Sequence, residues 1–246
     1  MRQLGGSTQE LQNYRADMNF PKEDDYINIH DHGPMAAEGI FTVDNIMVHE
    51  GRSPAIIPGI AFSVGAHPWS LNEENSESLM MKVRDFAVHP NVIAIGETGF
   101  DKLKGPDQAL QGNLFRQHVE LSERLHKPLI IHCVRSYDEV LAAQKKLKPA
   151  MPWVIHGFRG KPELASQLTG KGLYLSAWVE WAVRPVSADT LRSIPPGMLF
   201  LETDGFDISI IPVYQVVAGY IGIEVAELRK RVRNNYIKVF GLPPRP

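Results

Sequence analysis

Two histidines flank an aspartate in the segment NIHDHGPM, residues 28–35, which directly follows Tyr26 and Ile27. In an extended strand, successive side chains point to opposite faces, so His30 and His32 would project to the same side. Paired neutral imidazoles are typical ligands of zinc and related divalent ions. The spacing therefore makes both histidines candidate metal ligands, although a single histidine in such a place is more often structural.

A short apolar run that ends in a polar or ionisable residue occurs eight times along the chain. The runs cover residues 26–30, 41–49, 60–67, 91–97, 128–132, 152–156, 172–176 and 198–202. Their ends carry His30 with His32, His49, His67, Glu97, His132, His156, Ser176, and Glu202 with Asp204. Runs of this kind are typical of parallel strands that are buried on both faces. We therefore expect one parallel sheet whose strand ends bring these side chains together.

Helical patterns separate the later runs. Apolar residues recur at helical spacing in 78–88, 108–125, 137–147 and 162–169, and in segments that begin at Ile211 and Glu224. Strand then helix, repeated towards eight, predicts an α/β fold of the (β/α)8 TIM-barrel type, in which functional residues lie at the C-terminal strand ends. Only about ten and about a dozen residues separate the first three runs, so we expect the first two outer helices to be missing or shortened.

The composition is that of an ordinary globular protein, with 246 residues of which 43% are hydrophobic and 22% charged. We expect an N-terminal extension over residues 1–25 and a single barrel over residues 26–246. The net charge of −2 gives no general basic field for nucleic acid, but a small site can still hold phosphate through metals and a few arginines. One cysteine, no signal-peptide core and no apolar stretch of about 20 residues favour a soluble cytoplasmic protein without a membrane partner.

Missing outer helices would leave apolar barrel wall uncovered. Either the segment Leu4–Met18 or a second subunit should then cover this wall, which leaves the oligomeric state open. Ser7 and Glu10 have the spacing of a helix capping box, which favours a helix in the extension. A frayed tail fits the same segment equally well.

Five motifs, taken in order, resemble those of the TatD family of metal-dependent deoxyribonucleases, which belongs to the amidohydrolase-like barrels. They are His-x-His at 30–32, AIGETGFD at 94–101, KPLIIHCVRS at 127–136, VIHGFRGKPELA at 154–165 and LFLETDGF at 199–206. The similarity extends from about residue 26 to residue 241. Three departures concern substrate range more than metal binding. Asn28 replaces a usual aspartate, the region 33–59 is shortened, and Trp178 and Trp181 occupy a segment that is usually small and glycine-rich.

The resemblance implies a hydrolase with divalent metals whose ligands fall on His30, His32, Glu97, His132, His156 and Asp204. Six ligands suit two ions that share a carboxylate. Magnesium or manganese is the expected working metal, and zinc is the alternative. We assign one ion to His30, His32, Glu97 and Asp204, and the other to Glu97, His132 and His156. Glu97 is the expected bridge, and Asp204 is the expected proton acceptor. A helix N-cap is the alternative role for Asp204.

Substrate contacts are predicted from the residues near these ligands. Arg135 is expected to contact phosphate, because arginine binds it in a bidentate manner, with a surface salt bridge as the alternative. His67 is expected to point into the barrel mouth and contact phosphate without binding a metal. Weaker phosphate candidates are Lys102, Arg159 and Lys161. Trp69, Trp178 and Trp181 are candidates for stacking on bases, although packing is the more common role of any single tryptophan.

The predicted activity is metal-dependent hydrolysis of DNA phosphodiesters, acting from the 3′ ends of single strands. Two other functions stay open from the residues alone. A small phosphoester, lactone or amide is an alternative substrate, because the same activated water attacks carbon or phosphorus. A non-catalytic metal-binding protein is less favoured, since the ligand set is complete.

Overall fold

Eight parallel strands form a single sheet in the computed structural model, which describes residues 20–241. The strands are β1 (Tyr26–Asp31), β2 (Ile40–Met47), β3 (Ile60–Gly65), β4 (Val92–Asp101), β5 (Leu129–Val134), β6 (Trp153–Phe158), β7 (Tyr174–Ala177) and β8 (Leu199–Leu201). Each strand pairs with the next one in sequence, in the order β1 to β8. Strands β1 and β8 also lie in contact, so the sheet curls into a nearly closed barrel. The predicted TIM-type fold is confirmed.

The helices follow the later strands. They are α1 (Ser76–Ala87), α2 (Gln108–Leu125), α3 (Tyr137–Leu147), α4 (Pro162–Thr169), α5 (Val179–Ala182), α6 (Ala188–Ser193), α7 (Ile210–Ile221) and α8 (Val225–Phe240). Short 3-10 turns lie at Pro68–Ser70, Pro185–Ser187 and Pro196–Met198. Within residues 20–241 no helix separates β1 from β2 or β2 from β3, as the short spacings predicted. The short helices α5 and α6 were not predicted, because each spans too few residues to show a helical period.

The two C-terminal helices pack on the outer side of β1, with Tyr214 of α7 and Leu228 of α8 buried. In the described part of the chain no single helix has the length and apolar character to cross a membrane. Helices α7 and α8 reach that length and composition only as a pair, which is bent by 103°. The segment Leu4–Met18, with Ser7 and Glu10, lies outside the described residues, so its role as a cover of the wall stays a prediction.

The seam between β1 and β8 is closed by specific hydrogen bonds. Asn28 Oδ1 accepts from the backbone N–H of Thr203 at 3.0 Å, and Asn28 Nδ2 donates to Thr203 Oγ1 at 2.6 Å. The backbone N–H of Asp204 donates to the carbonyl of His30 at 3.1 Å. The seam therefore sets the distance between two residues that sequence analysis assigned to the same metal.

Tyr214 supplies hydrogen-bond partners for backbone groups of β1 that the short strand β8 does not pair with. The N–H of Tyr26 bonds to Gly39 on the β2 side, so the N–H and carbonyl of Ile27 face the other way. Ile27 N donates to the Tyr214 hydroxyl at 3.2 Å, and that hydroxyl donates to Ile27 O at 2.9 Å. One side chain from α7 thus satisfies two buried backbone groups of β1.

Tyr214→Phe should lower the free energy of unfolding by about 1–3 kcal/mol, because it leaves buried backbone groups of Ile27 without these partners. Tyr236→Phe is the matched control. Tyr236 is equally buried, and the described part of the chain shows no hydrogen bond to its hydroxyl. Chemical denaturation of both variants measures the difference. Equal losses in the two would show that Tyr214 acts only by packing.

Candidate metal centre

Glu97 lies at the centre of the barrel mouth, on β4, and its residue is 3% exposed. Glycines let the neighbouring strands approach it closely. A Cβ on Gly65 would lie 2.3 Å from the carbonyl oxygen of Glu97, and a Cβ on Gly99 would lie 2.0 Å from that of His132. Because a side chain at either place would collide with backbone, only glycine permits this packing of β3, β4 and β5.

Asn45 on β2 holds both the backbone and the side chain of Glu97. Its Oδ1 accepts from the backbone N–H of Glu97 at 2.8 Å and from Ser63 Oγ at 3.1 Å. Its Nδ2 donates to Glu97 Oε2 at 3.4 Å. This fully buried residue is not among the candidates from the sequence. The available signal was a polar residue in the middle of an apolar run, because buried amides are normally placed where they have partners.

One carboxylate oxygen of Glu97 faces a first group of donor atoms. Glu97 Oε2 lies 3.5 Å from His30 Nε2 and 3.8 Å from His32 Nε2. Asp204 Oδ1 lies 3.6 Å and 3.5 Å from the same two nitrogens. Tetrahedral ligands at about 2.1 Å from a metal lie about 3.4 Å from one another, so this spacing suits one divalent ion.

The other oxygen faces a second group. Glu97 Oε1 lies 2.6 Å from His156 Nε2, 2.7 Å from His132 Nδ1 and 3.1 Å from His67 Nε2. Glu97 therefore contacts both donor groups, one through each oxygen. The six predicted ligands come together at the C-terminal ends of the strands, and His67 lies among them.

Unpaired nitrogens show that hydrogen bonds alone do not satisfy this cluster. His30 is fully buried, and within residues 20–241 neither of its ring nitrogens has a hydrogen-bond partner. The Nδ1 atoms of His32 and His156 are also buried without a partner in that range. Buried polar atoms without partners are rare in folded proteins. A set of imidazole and carboxylate donors with free nitrogens fits a divalent cation.

Two further carboxylates lie behind the histidines. Asp101 Oδ2 lies 3.2 Å from His132 Nε2 and accepts from Trp69 Nε1 at 2.6 Å. Glu202 Oε1 lies 3.7 Å from His156 Nδ1. Carboxylates in such positions fix the ring orientation of metal-binding histidines. Asp101 is not among the sequence candidates, because the apolar run ends at residue 97 whereas β4 continues to Asp101.

A cavity of about 460 Å³ opens over the cluster. Its lining includes His132, His156, Asp204, the cations Arg135 and Arg159, and the rings of Trp69, Trp178 and Phe206. Both arginines are exposed, and neither forms a salt bridge to another residue of the described range. The cavity thus combines metal donors, two uncompensated positive charges and aromatic surface.

A sequence model of the family described as TatD related DNase matches residues 53–241. The chain belongs to this family. It is 31% identical over 211 residues to the 3′-5′ ssDNA/RNA exonuclease TatD of Erwinia billingiae. The aligned region covers 76% of this chain and 80% of that protein. The chain is 28% identical over 208 residues, 75% of each chain, to an uncharacterized metal-dependent hydrolase of Buchnera aphidicola. The chain is therefore a metal-dependent hydrolase of the TatD family.

Solved structures of the family share the fold. The TatD homolog YJJV from Escherichia coli K12 superposes with a TM-score of 0.73 at 20% identity, covering 90% of this chain and 100% of that one. A hydrolase TatD family protein from Entamoeba histolytica gives a TM-score of 0.70 at 16% identity, covering 88% and 98%. At these identities the likeness concerns the barrel alone.

Several other candidates from the sequence lie in different places from those expected. Strand β2 ends at Met47, so His49 lies exposed in the next turn, outside the cluster. Lys102 forms an ion pair with Glu139 at 2.7 Å and is not available to phosphate in this arrangement. The N-cap of α7 is Ser209, so Asp204 has no capping role there.

His67 is almost completely buried, which leaves little of its surface for a substrate. It is 3% exposed, and its Nδ1 accepts from the backbone N–H of Trp69 at 3.1 Å while Nε2 faces Glu97. With both nitrogens engaged, the predicted phosphate contact stays a prediction. Burial raises the pKa of Cys133, next to His132, to about 12, so its thiol is protonated and unreactive at neutral pH.

The protonation of the cluster follows from its charges. Burial alone would raise the pKa of Glu97, but the charges of His156 and His67 and hydrogen bonds from His132 and His156 hold that pKa well below its ordinary value. Burial would lower the pKa of His156, yet Glu97 and Glu202 raise it well above the usual range. The pKa of His32 is raised as well, because Asp204 and Glu97 outweigh its burial.

Metal binding should therefore strengthen as pH rises. A ring proton and a cation compete for the same nitrogen, so the raised pKa values of His156 and His32 mean that these rings keep their protons to higher pH than free imidazoles, and binding must release them. Calorimetric titration of Mn²⁺ into EDTA-treated protein, from about pH 6 to about pH 8.5, should show rising affinity. The heat should also depend on the buffer because of proton release. Affinity that stays constant over this range would contradict the protonation scheme.

Proposed function

We propose that this chain hydrolyses the phosphodiester bonds of single-stranded DNA, preferentially from the 3′ end, with two divalent ions. The observation that carries the proposal is the cavity in which Arg135 and Arg159, free of salt bridges in the described range, stand beside a donor cluster divided by one carboxylate. The relative from Erwinia billingiae, named as a 3′-5′ ssDNA/RNA exonuclease, supports the choice of bond and polarity.

The residues that would hold the ions follow the two faces of Glu97. In this proposal His30, His32, Asp204 and Glu97 would hold one ion, and His132, His156 and Glu97 would hold the other. Magnesium or manganese fits the proposed phosphodiester chemistry, and zinc fits the histidine-rich donors. Bound there, the ions would stabilise negative charge on phosphoryl oxygens and lower the pKa of water towards about 7.

Asp204 is placed to take up the proton of the attacking water. Its side chain is 25% exposed and lines the cavity, whereas Glu97 is enclosed. Burial would raise the pKa of Asp204, but the contact with His32 and the charges of His156 and His30 lower it. The carboxylate is therefore ionised at neutral pH, which a proton acceptor requires.

The two arginines serve the substrate rather than the metals. A guanidinium binds phosphate with two parallel hydrogen bonds, which orients the diester as well as attracting it. Few cations line the mouth and the whole chain has a net charge of −2, so contact with only a few phosphates is proposed. Binding of a long duplex is then disfavoured, and the affinity for single strands should depend weakly on salt.

Digestion of end-labelled single-stranded DNA with Mg²⁺ or Mn²⁺, beside an EDTA control, should release nucleotides progressively from the 3′ end. Asp204→Asn should reduce turnover by orders of magnitude, while Arg135→Ala should mainly raise KM. Asp189→Asn, which changes an 86% exposed carboxylate, is the matched control and should leave turnover unchanged. Turnover of a lactone or simple phosphoester, with no nucleotide released under any metal, would replace the nuclease proposal with a small-molecule hydrolase.

Glu97→Gln should remove at least one ion and lower activity by orders of magnitude, because the amide cannot give each donor group a negatively charged oxygen. Metal content by mass spectrometry of protein reconstituted with Mn²⁺ measures the loss. Glu120→Gln, on the exposed side of α2, controls for a change of one charge. Full occupancy in Glu97→Gln would show that the carboxylate does not join the two sets.

A further inference from the structure

We propose that Trp69 and Trp178 form two nucleobase subsites, one on each side of the donor cluster, for neighbouring nucleotides of a single strand. This pair is called the tryptophan clamp below. The inference rests on the proposed function for its choice of a nucleic-acid substrate, and it adds which side chains receive the bases.

The clamp spans the barrel mouth. Trp69 follows β3 and Trp178 follows β7, and these strands are four apart in a sheet of eight. In a barrel, strands that are half the circuit apart lie on opposite sides of the axis. Both rings line the same cavity as His132 and His156, which lie on β5 and β6, between β3 and β7 in the strand order. A chain that crosses the cavity would meet one ring on each side of the metal donors.

Trp69 is oriented before any substrate arrives. Its Nε1–H donates to Asp101 Oδ2 at 2.6 Å, and its ring meets His67 edge to face with 4.8 Å between centroids. The residue nevertheless remains 51% exposed. A half-exposed ring that is already fixed loses little conformational freedom when a base stacks on it.

Trp178 is fixed in another way. Its backbone N–H donates to Phe158 O at 3.2 Å, and its ring meets the 38% exposed ring of Phe206 with 5.9 Å between centroids. Trp181 differs, because it packs against Phe158 at 6.0 Å and is not part of the cavity lining. Of the two tryptophans in this segment, only Trp178 is available to a ligand in the cavity.

A cation accompanies each ring of the clamp. Lys104 Nζ lies 4.0 Å from the ring centroid of Trp69, and Arg159 Cζ lies 4.4 Å from that of Trp178. Neither cation forms a salt bridge with a described residue. Each cation lies over one face of its ring, which leaves the other face for a base and the cation for a phosphate, the two groups that a nucleotide offers. Sites for single strands combine these two groups, whereas the faces of duplex bases are already stacked.

The test measures binding without turnover, in EDTA, by fluorescence anisotropy. One probe is a short labelled oligothymidylate, and the other is an abasic oligonucleotide of the same length and charge. Trp178→Leu and Trp69→Leu should each weaken binding of the thymidylate probe by about tenfold and change binding of the abasic probe less than about twofold. Trp178→Phe, which keeps a ring, should retain most of the affinity. Trp181→Leu is the control from outside the cavity, with unaltered probe binding expected.

The two proposals fail in different ways. Equal binding of the two probes by the unmodified protein overturns the clamp, whether or not DNA is cut. That comparison needs no variant and is unaffected by folding. Tighter binding of the thymidylate probe that is lost in Trp178→Leu supports the clamp, and absence of cleavage with any metal would then count against the nuclease proposal alone.

Discussion

The rest of the site depends on one constraint, which is that the carboxylate of Glu97 must be neutralised inside the barrel. An isolated buried charge costs so much that such a group ordinarily takes up a proton, and its pKa rises. The pKa of Glu97 moves downwards instead, so the surrounding imidazoles outweigh the loss of solvation. The rings that outweigh it, His156, His132 and His67, all face Glu97 Oε1. Side chains at the ends of β6, β5 and β3 therefore converge on a single residue of β4.

The same constraint links the metal centre to barrel closure. His30 and Asp204 belong to one donor set and are also joined backbone to backbone across the seam between β1 and β8. Asn28 completes this seam, and its amide explains a departure from the family pattern. It both accepts from Thr203 N and donates to Thr203 Oγ1. An ionised aspartate could only accept, so the asparagine gives a seam that is satisfied without adding charge near the donors.

The sequence was sufficient for features that repeat and insufficient for features that depend on contacts. Helices α2, α3 and α4 begin and end at the predicted residues, because their apolar period extends over whole turns. The strand ends were expected to meet over the barrel mouth, and the family resemblance selected the six donors from among them. His49 was grouped with them wrongly, since an apolar run does not show where a strand turns away. Asp101 and Asn45 were missed because their roles depend on neighbours from other strands.

Trp178 and Trp181 show how strongly such contacts decide function. Residues three apart on a helix share a face, so the sequence alone treats these two tryptophans as equivalent. Trp178 is the N-cap of α5 and has extended backbone angles, with φ −64° and ψ 128°, so it lies outside the helical turn. Its ring enters the cavity, while Trp181 packs on the core. The strand ends thus supply the metal donors. The loops that follow the strands contact the substrate, and there is less loop material on the side of the shortened first third.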